Sequence, residues 1–293
     1  MRLAVTGAKG QVATALLERA AAKGHEVIAL ARPQLDLARP ETIAPLLAAA
    51  NAAAVVSAAA YTAVDKAESE PEEAHAVNAA GAQALAAATA ALGIPLIHLS
   101  TDYVFDGTKS VPYVETDATN PLSAYGRSKL AGEQAILAAH GGNSVILRTA
   151  WVYSPFGANF VKTMLRLASD RDEIGVVADQ FGNPTSALDI ADSVLAVAER
   201  LTADPSPELR GIFHLTATGE TSWAGFAEEI FAVSSRLGGQ AAKVRHITTT
   251  EYPTPARRPA NSRLNCDKLA AVHGVRLPAW QLATERVVAR LLA

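Results

Sequence analysis

The stretch Arg2-Leu3-Ala4-Val5-Thr6-Gly7-Ala8-Lys9-Gly10-Gln11-Val12-Ala13 opens the chain and indicates its fold. Its first five residues are typical of a short buried strand, and its glycine turn leads into an alanine-rich helix that runs to about Lys23. Gly24 ends that helix, and Glu26 to Ala31 is predicted to form a second strand. Strand, glycine turn, helix and strand in this order form a dinucleotide-binding unit.

The glycine turn has the residues that a bound pyrophosphate requires. Gly7 permits the tight turn, and Gly10 lets the backbone approach the phosphates at the positive end of the helix. The third small residue is Ala13, where the helix must pack closely on the strand. A plain strand–helix turn is the alternative, but the flanking elements favour dinucleotide binding.

The end of the second strand indicates which dinucleotide binds. An acidic residue there bonds the ribose hydroxyls of NAD, whereas an arginine can hold the 2′-phosphate of NADP. This chain has Arg32 and no acid at the strand tip, which favours NADP(H), with NAD(H) as a second cofactor. Asp36 and Leu37 follow on a loop and are expected to border the adenine. A surface Arg32 without a ligand is the alternative.

Two more strands are predicted, at Ala54 to Ala58 and at Leu96 to Ser100, with a helix between them from Pro71 to about Leu92. The first of these strands ends in small residues, Ala58 to Ala60, which leave room for a flat ligand. The second contains His98, which we interpret as a core or sheet histidine rather than a catalytic one.

Three side chains downstream could share one chemical task. Thr101 follows the fourth strand, and Tyr125 and Lys129 stand four residues apart, a spacing that places both on one face of a helix. The ammonium of Lys129 is expected to lower the pKa of the Tyr125 phenol, which could then exchange a proton with a substrate oxygen. Thr101 can hydrogen-bond the same oxygen, and Lys129 can hold the nicotinamide ribose. A strand cap and a solvated helix start are the alternatives.

The composition of the chain excludes several classes of protein. The 293 residues suffice for one large domain or two, and 49% hydrophobic with 19% charged residues indicates a well-buried globule. A net charge of -3 without a basic block argues against nucleic acid and anionic membranes as partners. The apolar runs are too short to cross a bilayer. A single cysteine, Cys266, fits a reducing cytoplasm, and no His/Cys cluster has the spacing of metal ligands.

The predicted fold class is α/β, with a doubly wound, mostly parallel Rossmann sheet and a smaller C-terminal substrate lobe. Residues 1–150 are predicted to form the dinucleotide-binding domain, which ends with a strand from Ser144 to Thr149. Residues 151–293 are predicted to form mainly the substrate lobe, although helix 187–201 is expected to return to the first domain.

Several longer runs carry a resemblance to a known family. The chain resembles the extended short-chain dehydrogenase/reductases and, more narrowly, the dTDP-4-dehydrorhamnose reductases over nearly its whole length. The Tyr125/Lys129 pair marks only the superfamily. The resemblance covers the runs Thr6 to Val12, Ala58 to Glu68, Ser100 to Gly107, Arg148 to Tyr153, Asp179 to Thr185 and Arg257 to Leu264. Of these, Thr62 to Glu68 and Thr101 to Gly107 are the narrower signals.

The resemblance implies a role for each matching residue. Thr101, Tyr125 and Lys129 would be catalytic. The cofactor would be bound by Gly7, Gly10, Gln11, Val12, Arg32, Asp36, Leu37, Ala59, Ala60, Tyr61, Thr62, Leu99, Tyr125 and Lys129. The deoxysugar would be bordered by Val64, Thr101, Asp102 and Trp151, where core packing is the alternative for Trp151. Some relatives form dimers through magnesium and a glutamate of the first helix, but the matching residue here is Ala15, so no metal site is predicted.

The implied reaction is hydride transfer from NADPH to the C4 ketone of dTDP-4-dehydro-β-L-rhamnose, with Tyr125 protonating the oxygen. The product would be dTDP-L-rhamnose, a precursor of cell-wall, O-antigen and lipopolysaccharide sugars. We further expect Arg257 or Arg258 to meet the diphosphate, because a guanidinium makes paired hydrogen bonds with phosphate. A solvated loop charge is the alternative. A cytoplasmic monomer or weak homodimer is expected.

Two other functions stay open from the sequence. Nucleotide-sugar dehydratases of this fold carry Asp-Glu after the threonine, whereas this chain has Asp102-Tyr103 and therefore lacks the extra acid. Epimerases and dehydratases also usually retain their cofactor. A non-catalytic subunit that regulates a methionine adenosyltransferase is the third hypothesis, and the intact Tyr125/Lys129 pair weighs against it.

Overall fold

A six-stranded parallel sheet forms the centre of the computed structural model, which describes residues 1–293. The strands of the chain are β1 (Arg2–Thr6), β2 (Glu26–Leu30), β3 (Ala54–Ser57), β4 (Leu96–Thr101), β5 (Ser144–Thr149), β6 (Val152–Tyr153), β7 (Glu173–Val177), β8 (Phe181–Gly182), β9 (Thr185–Ser186), β10 (Gly211–His214), β11 (Thr221–Ser222) and β12 (Lys243–Ile247). The central sheet has the spatial order β10-β5-β4-β3-β1-β2.

Helices cover both faces of this sheet. They are α1 (Gln11–Ala22), α2 (Ile43–Ala50), α3 (Val64–Ala67), α4 (Pro71–His75), α5 (Gly81–Leu92), α6 (Ala124–His140), α7 (Phe160–Ala168), α8 (Ala187–Ala203), α9 (Trp223–Arg236), α10 (Asp267–His273) and α11 (Trp280–Leu292). Buried residues of α1 and α8 share one apolar cluster with the sheet, and those of α2, α5 and α6 share another. The doubly wound, parallel α/β sheet expected from the sequence is therefore confirmed.

The order of the strands creates a crevice. The chain runs from β1 to β2 at one edge and then crosses back over β1 to form β3. Parallel sheets of this kind bind ligands outside the carboxyl ends of the strands where the order reverses. Here that point lies between the turn after β1 and the turn after β3. The hydroxyl of Thr6 accepts hydrogen bonds from the backbone N–H groups of Ala58 and Ala59, which fixes the second turn beside the first.

The second half of the chain adds a smaller apolar cluster of its own. Tyr153, Phe226 and Trp280 are buried in it, and α7, α9 and α11 contribute most of its residues. Three short two-stranded sheets surround it: β6 with β9, β8 with β11, and β7 with β12. Two elements of the second half of the chain pack with the first half instead. β10 pairs with β5 in the central sheet, and α8 packs on α1.

Helix α6 approaches a neighbouring helix very closely. The segment between α4 and α5, Ala76–Ala80, is a π-helical turn, and it packs against α6. A Cβ atom added at Gly132 would lie 2.1 Å from the backbone oxygen of Asn78 and 3.4 Å from Cβ of Ala82. Only glycine leaves room for this contact, so Gly132 sets the distance between α6 and the π-helical turn.

We expect Gly132→Ala to lower the free energy of unfolding by about 1–3 kcal/mol, the usual cost of an overpacked contact. Urea denaturation followed by circular dichroism measures this loss. Gly142→Ala is the matched control, because a Cβ there meets nothing within 4 Å, and its stability should stay close to that of the wild type. Equal stability of both variants would contradict the packing described here.

Candidate active site

The structure brings Thr101, Tyr125 and Lys129 together at the carboxyl end of β4. Thr101 is the last residue of that strand, and Tyr125 and Lys129 lie in the first two turns of α6, which packs against it. Ser123 caps the helix by accepting a hydrogen bond from the N–H of Gly126 at 3.1 Å. The cap fixes where α6 begins and so places Tyr125 beside the strand end.

The phenol of Tyr125 holds its proton more tightly than an ordinary tyrosine. Burial raises its pKa above the usual value of about 10, and a hydrogen bond with Thr101 opposes this shift only in part. The expectation that Lys129 lowers this pKa is wrong for this structure. The ammonium of Lys129 instead donates hydrogen bonds to the carbonyl oxygen of Leu99 at 2.7 Å and to Nε2 of His98 at 3.0 Å.

Lys129 is itself unusual because its long side chain is almost completely buried. Burial lowers its pKa to about 8, and the nearby carboxylate of Glu133 opposes the shift. Glu133 lies one turn further along α6 and pairs with Arg148 of β5, with 2.6 Å between Nη2 and Oε2. Both members of that pair are buried, and the guanidinium also lies 5.1 Å from the ring centre of Phe105.

Asp102 is a buried carboxyl next to the catalytic candidates. Its Oδ1 accepts a hydrogen bond from the hydroxyl of Thr101 at 3.1 Å, whereas Oδ2 has no partner. Burial raises the pKa of Asp102 to about 6, and hydrogen bonds from Ser262 and Thr101 oppose that rise. A group with this pKa changes charge just below neutral pH.

The first turn of α1 fits a pyrophosphate. Gly7 has a φ of +90°, and Gly10, which precedes the helix, leaves open space where a side chain would be. No side chain caps α1. The N–H groups of its first turn therefore have no side-chain acceptor and are available to bind phosphate oxygens.

Gln11 uses its side chain for a different contact. Its Nε2 donates to the carbonyl oxygen of Val152 at 3.3 Å, and its Oε1 accepts from Ser154 at 2.7 Å and from Asn159 at 3.1 Å. The side chain thus connects α1 to the second half of the chain. Only its backbone faces the glycine turn together with Val12, whose side chain is in the core.

The residues after β2 border the same crevice. Arg32 is exposed and makes no ion pair, so its guanidinium is available to a ligand phosphate. Asp36 accepts a hydrogen bond from the N–H of Ala38 at 3.0 Å. Leu37 is buried under α5, where its backbone oxygen would lie 2.5 Å from a Cβ added at Gly81.

Asn78 holds the loop after β3 in place. This buried side chain accepts a hydrogen bond from the N–H of Tyr61 at 2.8 Å and donates to the Tyr61 carbonyl at 3.0 Å and to Ser128 at 2.9 Å. It therefore ties the loop containing Ala59, Ala60, Tyr61 and Thr62 to α6. The sequence pattern did not reveal this residue, although a lone asparagine in an alanine-rich helix was a usable signal.

The substrate side is formed by aromatic and charged residues. Trp151 has a φ of +50° and stacks on Trp223, with 3.7 Å between ring centres, so one face of its indole is covered. Tyr103 lies edge-on to Tyr125, with 5.6 Å between ring centres. Val64 begins α3. The backbone of Gly182 also lies close to the indole of Trp151, because a Cβ atom added at Gly182 would be 2.5 Å from Cε2 of that ring.

Arg258 connects this region to the loop near the C-terminus. Its Nη2 lies 2.9 Å from Oδ2 of Asp65, and its Nη1 donates to the hydroxyl of Tyr103 at 3.2 Å. The neighbouring Arg257 is exposed and makes no ion pair. Arg258 is therefore placed at the site, but part of its hydrogen-bonding capacity is already used.

Comparison with known proteins agrees with this geometry. The family model described as "RmlD substrate binding domain" matches residues 1–293. A dTDP-4-dehydrorhamnose reductase of Sinorhizobium fredii is 58% identical over 292 residues, which cover 100% of this chain and 98% of that protein. The chain belongs to the dTDP-4-dehydrorhamnose reductase family.

Solved structures of this family have the same fold. A dTDP-4-dehydrorhamnose reductase of Clostridium acetobutylicum superposes with a TM-score of 0.92 at 38% identity, with 100% of both chains covered. One from Bacillus anthracis, solved in complex with NADP, has a TM-score of 0.90 at 33% identity and covers 99% of each chain. The preference for NADP(H) expected from Arg32 agrees with the cofactor of that relative.

The first helix carries no glutamate at the position where the resemblance implies a shared magnesium ligand in some relatives. No group of three or more His, Cys, Asp or Glu side chains is arranged to hold a metal. Ala15, at the position expected to differ from those relatives, is buried in the core. In addition, none of the helices has the length and apolar character needed to cross a bilayer.

The unusual pKa of Asp102 predicts how stability depends on pH. A carboxyl whose pKa is raised by folding stabilises the protein only while protonated, so its contribution is lost as pH rises from about 4 through about 6. Asp102→Asn does not titrate. Its free energy of unfolding relative to the wild type should therefore rise by on the order of 2 kcal/mol between pH 4 and pH 7.

Urea denaturation at both pH values measures the change. Asp106→Asn is the control of opposite sign, because hydrogen bonds from Thr108 lower the pKa of Asp106 to about 2. That variant should be less stable than the wild type at pH 7, with a smaller difference at low pH. A constant difference between Asp102→Asn and the wild type across the range would show that Asp102 does not titrate abnormally.

Proposed function

We propose that the protein reduces the C4 ketone of dTDP-4-dehydro-β-L-rhamnose with NADPH and releases dTDP-L-rhamnose. Full-length similarity to the family supports the reaction class. The observation that carries the mechanism is the placement of the Thr101 and Tyr125 hydroxyls side by side at the carboxyl end of β4. NADPH, when bound, supplies the hydride. The residues of this chain orient the ketone and handle the proton.

Tyr125 acts as the general acid. Because burial raises its pKa, the phenol carries its proton at neutral pH and can give it to the ketone oxygen as negative charge develops there. Thr101 turns its hydroxyl from Asp102 to the same oxygen, donates a hydrogen bond to it and stabilises that charge. Lys129 holds the nicotinamide ribose with the N–H that its contacts with β4 leave unused.

The remaining residues orient the two ligands. Gly7, Gly10 and the first turn of α1 would bind the pyrophosphate of the cofactor, and Arg32 would bind its 2′-phosphate. Val64, Asp102 and Trp151 border the deoxysugar. Arg258 meets the diphosphate from its position beside Asp65, with the exposed Arg257 as the alternative. We expect a cytoplasmic monomer or weak homodimer.

Removing the phenol tests the proposed acid. Tyr125→Phe should lower kcat/KM for the keto-sugar by about 10²–10⁴-fold, the usual contribution of a positioned acid, and leave NADPH binding largely intact. Stopped-flow measurement of NADPH oxidation gives the rate, and cofactor fluorescence gives the Kd. Tyr252→Phe, at a tyrosine that is 61% exposed, should keep full activity. Undiminished turnover by Tyr125→Phe would remove Tyr125 from this role.

Removing Arg32 tests the choice of cofactor. Arg32→Ala should raise KM for NADPH about 10- to 100-fold, because charge-assisted hydrogen bonds worth roughly 1.5–3 kcal/mol are lost, and leave KM for NADH within about twofold. Steady-state kinetics with both cofactors measure this. Arg39→Ala is the control, since Arg39 is exposed and pairs with Glu41 instead. Parallel losses for NADPH and NADH would mean that Arg32 does not read the 2′-phosphate.

A further inference from the structure

A row of buried polar side chains extends from Lys129 into the sheet. Nζ of Lys129 lies 3.0 Å from Nε2 of His98, and Nδ1 of His98 lies 3.0 Å from the hydroxyl of Ser57. The three residues come from α6, β4 and β3, and each is 2% exposed. The row joins the lysine of the candidate site to the middle of the central sheet.

The chemistry of the groups fixes where the protons lie. A lysine ammonium only donates hydrogen bonds, so Nε2 of His98 must accept. The imidazole then carries its proton on Nδ1 and donates it to Ser57. Burial, and the charge of Lys129, lower the pKa of His98 well below its usual value, so the ring stays neutral at physiological pH.

The hydrogen-bond donors of Lys129 can be assigned one by one. Of its three N–H groups, one is bound by His98 and one by the carbonyl oxygen of Leu99 at 2.7 Å. Both acceptors belong to β4, so the third N–H points away from that strand. One donor is thus left for a ligand.

Other charges near Lys129 do not replace His98 as its partner. Glu133 lies one turn along α6, but its carboxylate is occupied by Arg148 and by the hydroxyl of Ser100. It attracts the ammonium without accepting a hydrogen bond from it. Tyr125 on the same helix is protonated and uncharged. His98 is the one side chain that bonds Nζ of Lys129 directly.

We propose that His98 is a positioning residue that accepts a hydrogen bond from Lys129 at Nε2, is held in that orientation by Ser57, keeps Lys129 protonated and directs its remaining N–H toward the nicotinamide ribose. This inference rests on the proposed function, because it assigns His98 a part in the same reaction. His98 touches neither cofactor nor substrate and acts through Lys129. A histidine that merely filled the sheet would leave the protonation of Lys129 unchanged on removal.

Two substitutions at one position separate these roles. His98→Leu removes the acceptor, so the charged form of buried Lys129 is destabilised. His98→Gln offers an amide oxygen at nearly the distance of Nε2 and should restore it. His273→Leu is the matched control, because His273 is another buried histidine, bonded to the carbonyl oxygen of Leu209 far from Lys129.

The first readout is independent of activity. NMR spectra of protein with ¹³C-labelled lysine resolve the eight lysines of the chain, and Lys129→Met assigns the resonance of interest. We expect the titration midpoint of Lys129 to fall by at least one pH unit in His98→Leu. The midpoint should return to within about half a unit of wild type in His98→Gln and stay unchanged in His273→Leu. An unchanged midpoint in folded His98→Leu overturns the proposal.

The second readout is the pH profile of turnover with NADPH and the keto-sugar. His98→Leu should lower kcat about tenfold or more and change KM for the sugar less than threefold, with a profile displaced from that of the wild type. His98→Gln should recover most of kcat, and a glutamine variant no better than leucine counts against the proposal. A wild type without turnover contradicts the proposed function instead, whereas the lysine titration still decides the role of His98.

Circular dichroism shows whether His98→Leu folds. Should it not fold, Ser57→Ala decides the question, because it removes only the hydroxyl that accepts a hydrogen bond from Nδ1 of His98 and so orients the ring. The ¹⁵N spectrum of histidine-labelled wild-type protein should show His98 neutral and protonated at Nδ1, and Ser57→Ala should lower the midpoint of Lys129. A wild-type His98 protonated at Nε2, or an unchanged midpoint in Ser57→Ala, refutes the inference.

Discussion

The buried ion pair between Arg148 and Glu133 is the interaction on which the site depends. Its guanidinium bonds both carboxylate oxygens, Ser100 donates a further hydrogen bond to Oε1 of Glu133, and Phe105 covers the arginine. A buried pair gives little net stability over an apolar one, yet loss of one partner is costly, by about 3–5 kcal/mol. The pair therefore acts mainly by specifying one position of α6 against β4 and β5, and that position brings Tyr125 to Thr101.

Two further contacts also fix the position of α6, on other sides of that helix. The close contact at Gly132 sets its distance from the π-helical turn, and Asn78, within that turn, carries the loop after β3. π-Helical turns within helices often occur at functional sites, where they reorient one side chain. The crevice beside β1 and β3 and the helix that carries Tyr125 are thus connected by one set of hydrogen bonds and close contacts.

Much of the fold follows from local sequence. β1 and β5 were predicted with the bounds they have, because both are buried apolar runs next to turn or polar residues. β12 reads Lys-Val-Arg-His-Ile and pairs with β7, about 70 residues earlier, so its strand character comes from a distant partner. The sequence also indicated which residues form the candidate site, but it did not indicate where the side chains of Lys129 and Gln11 point. Those directions are set by His98, Leu99 and Ser154, which other parts of the chain supply.

The three hydrogen bonds made by the side chain of Gln11 have a mechanical consequence. They join the start of the phosphate-binding helix to Val152, Ser154 and Asn159. Any hinge rotation of the segment after β5 away from the nucleotide crevice must break these bonds or drag the first turn of α1 along. Movement of that segment would therefore also move the backbone amides that are proposed to bind the cofactor.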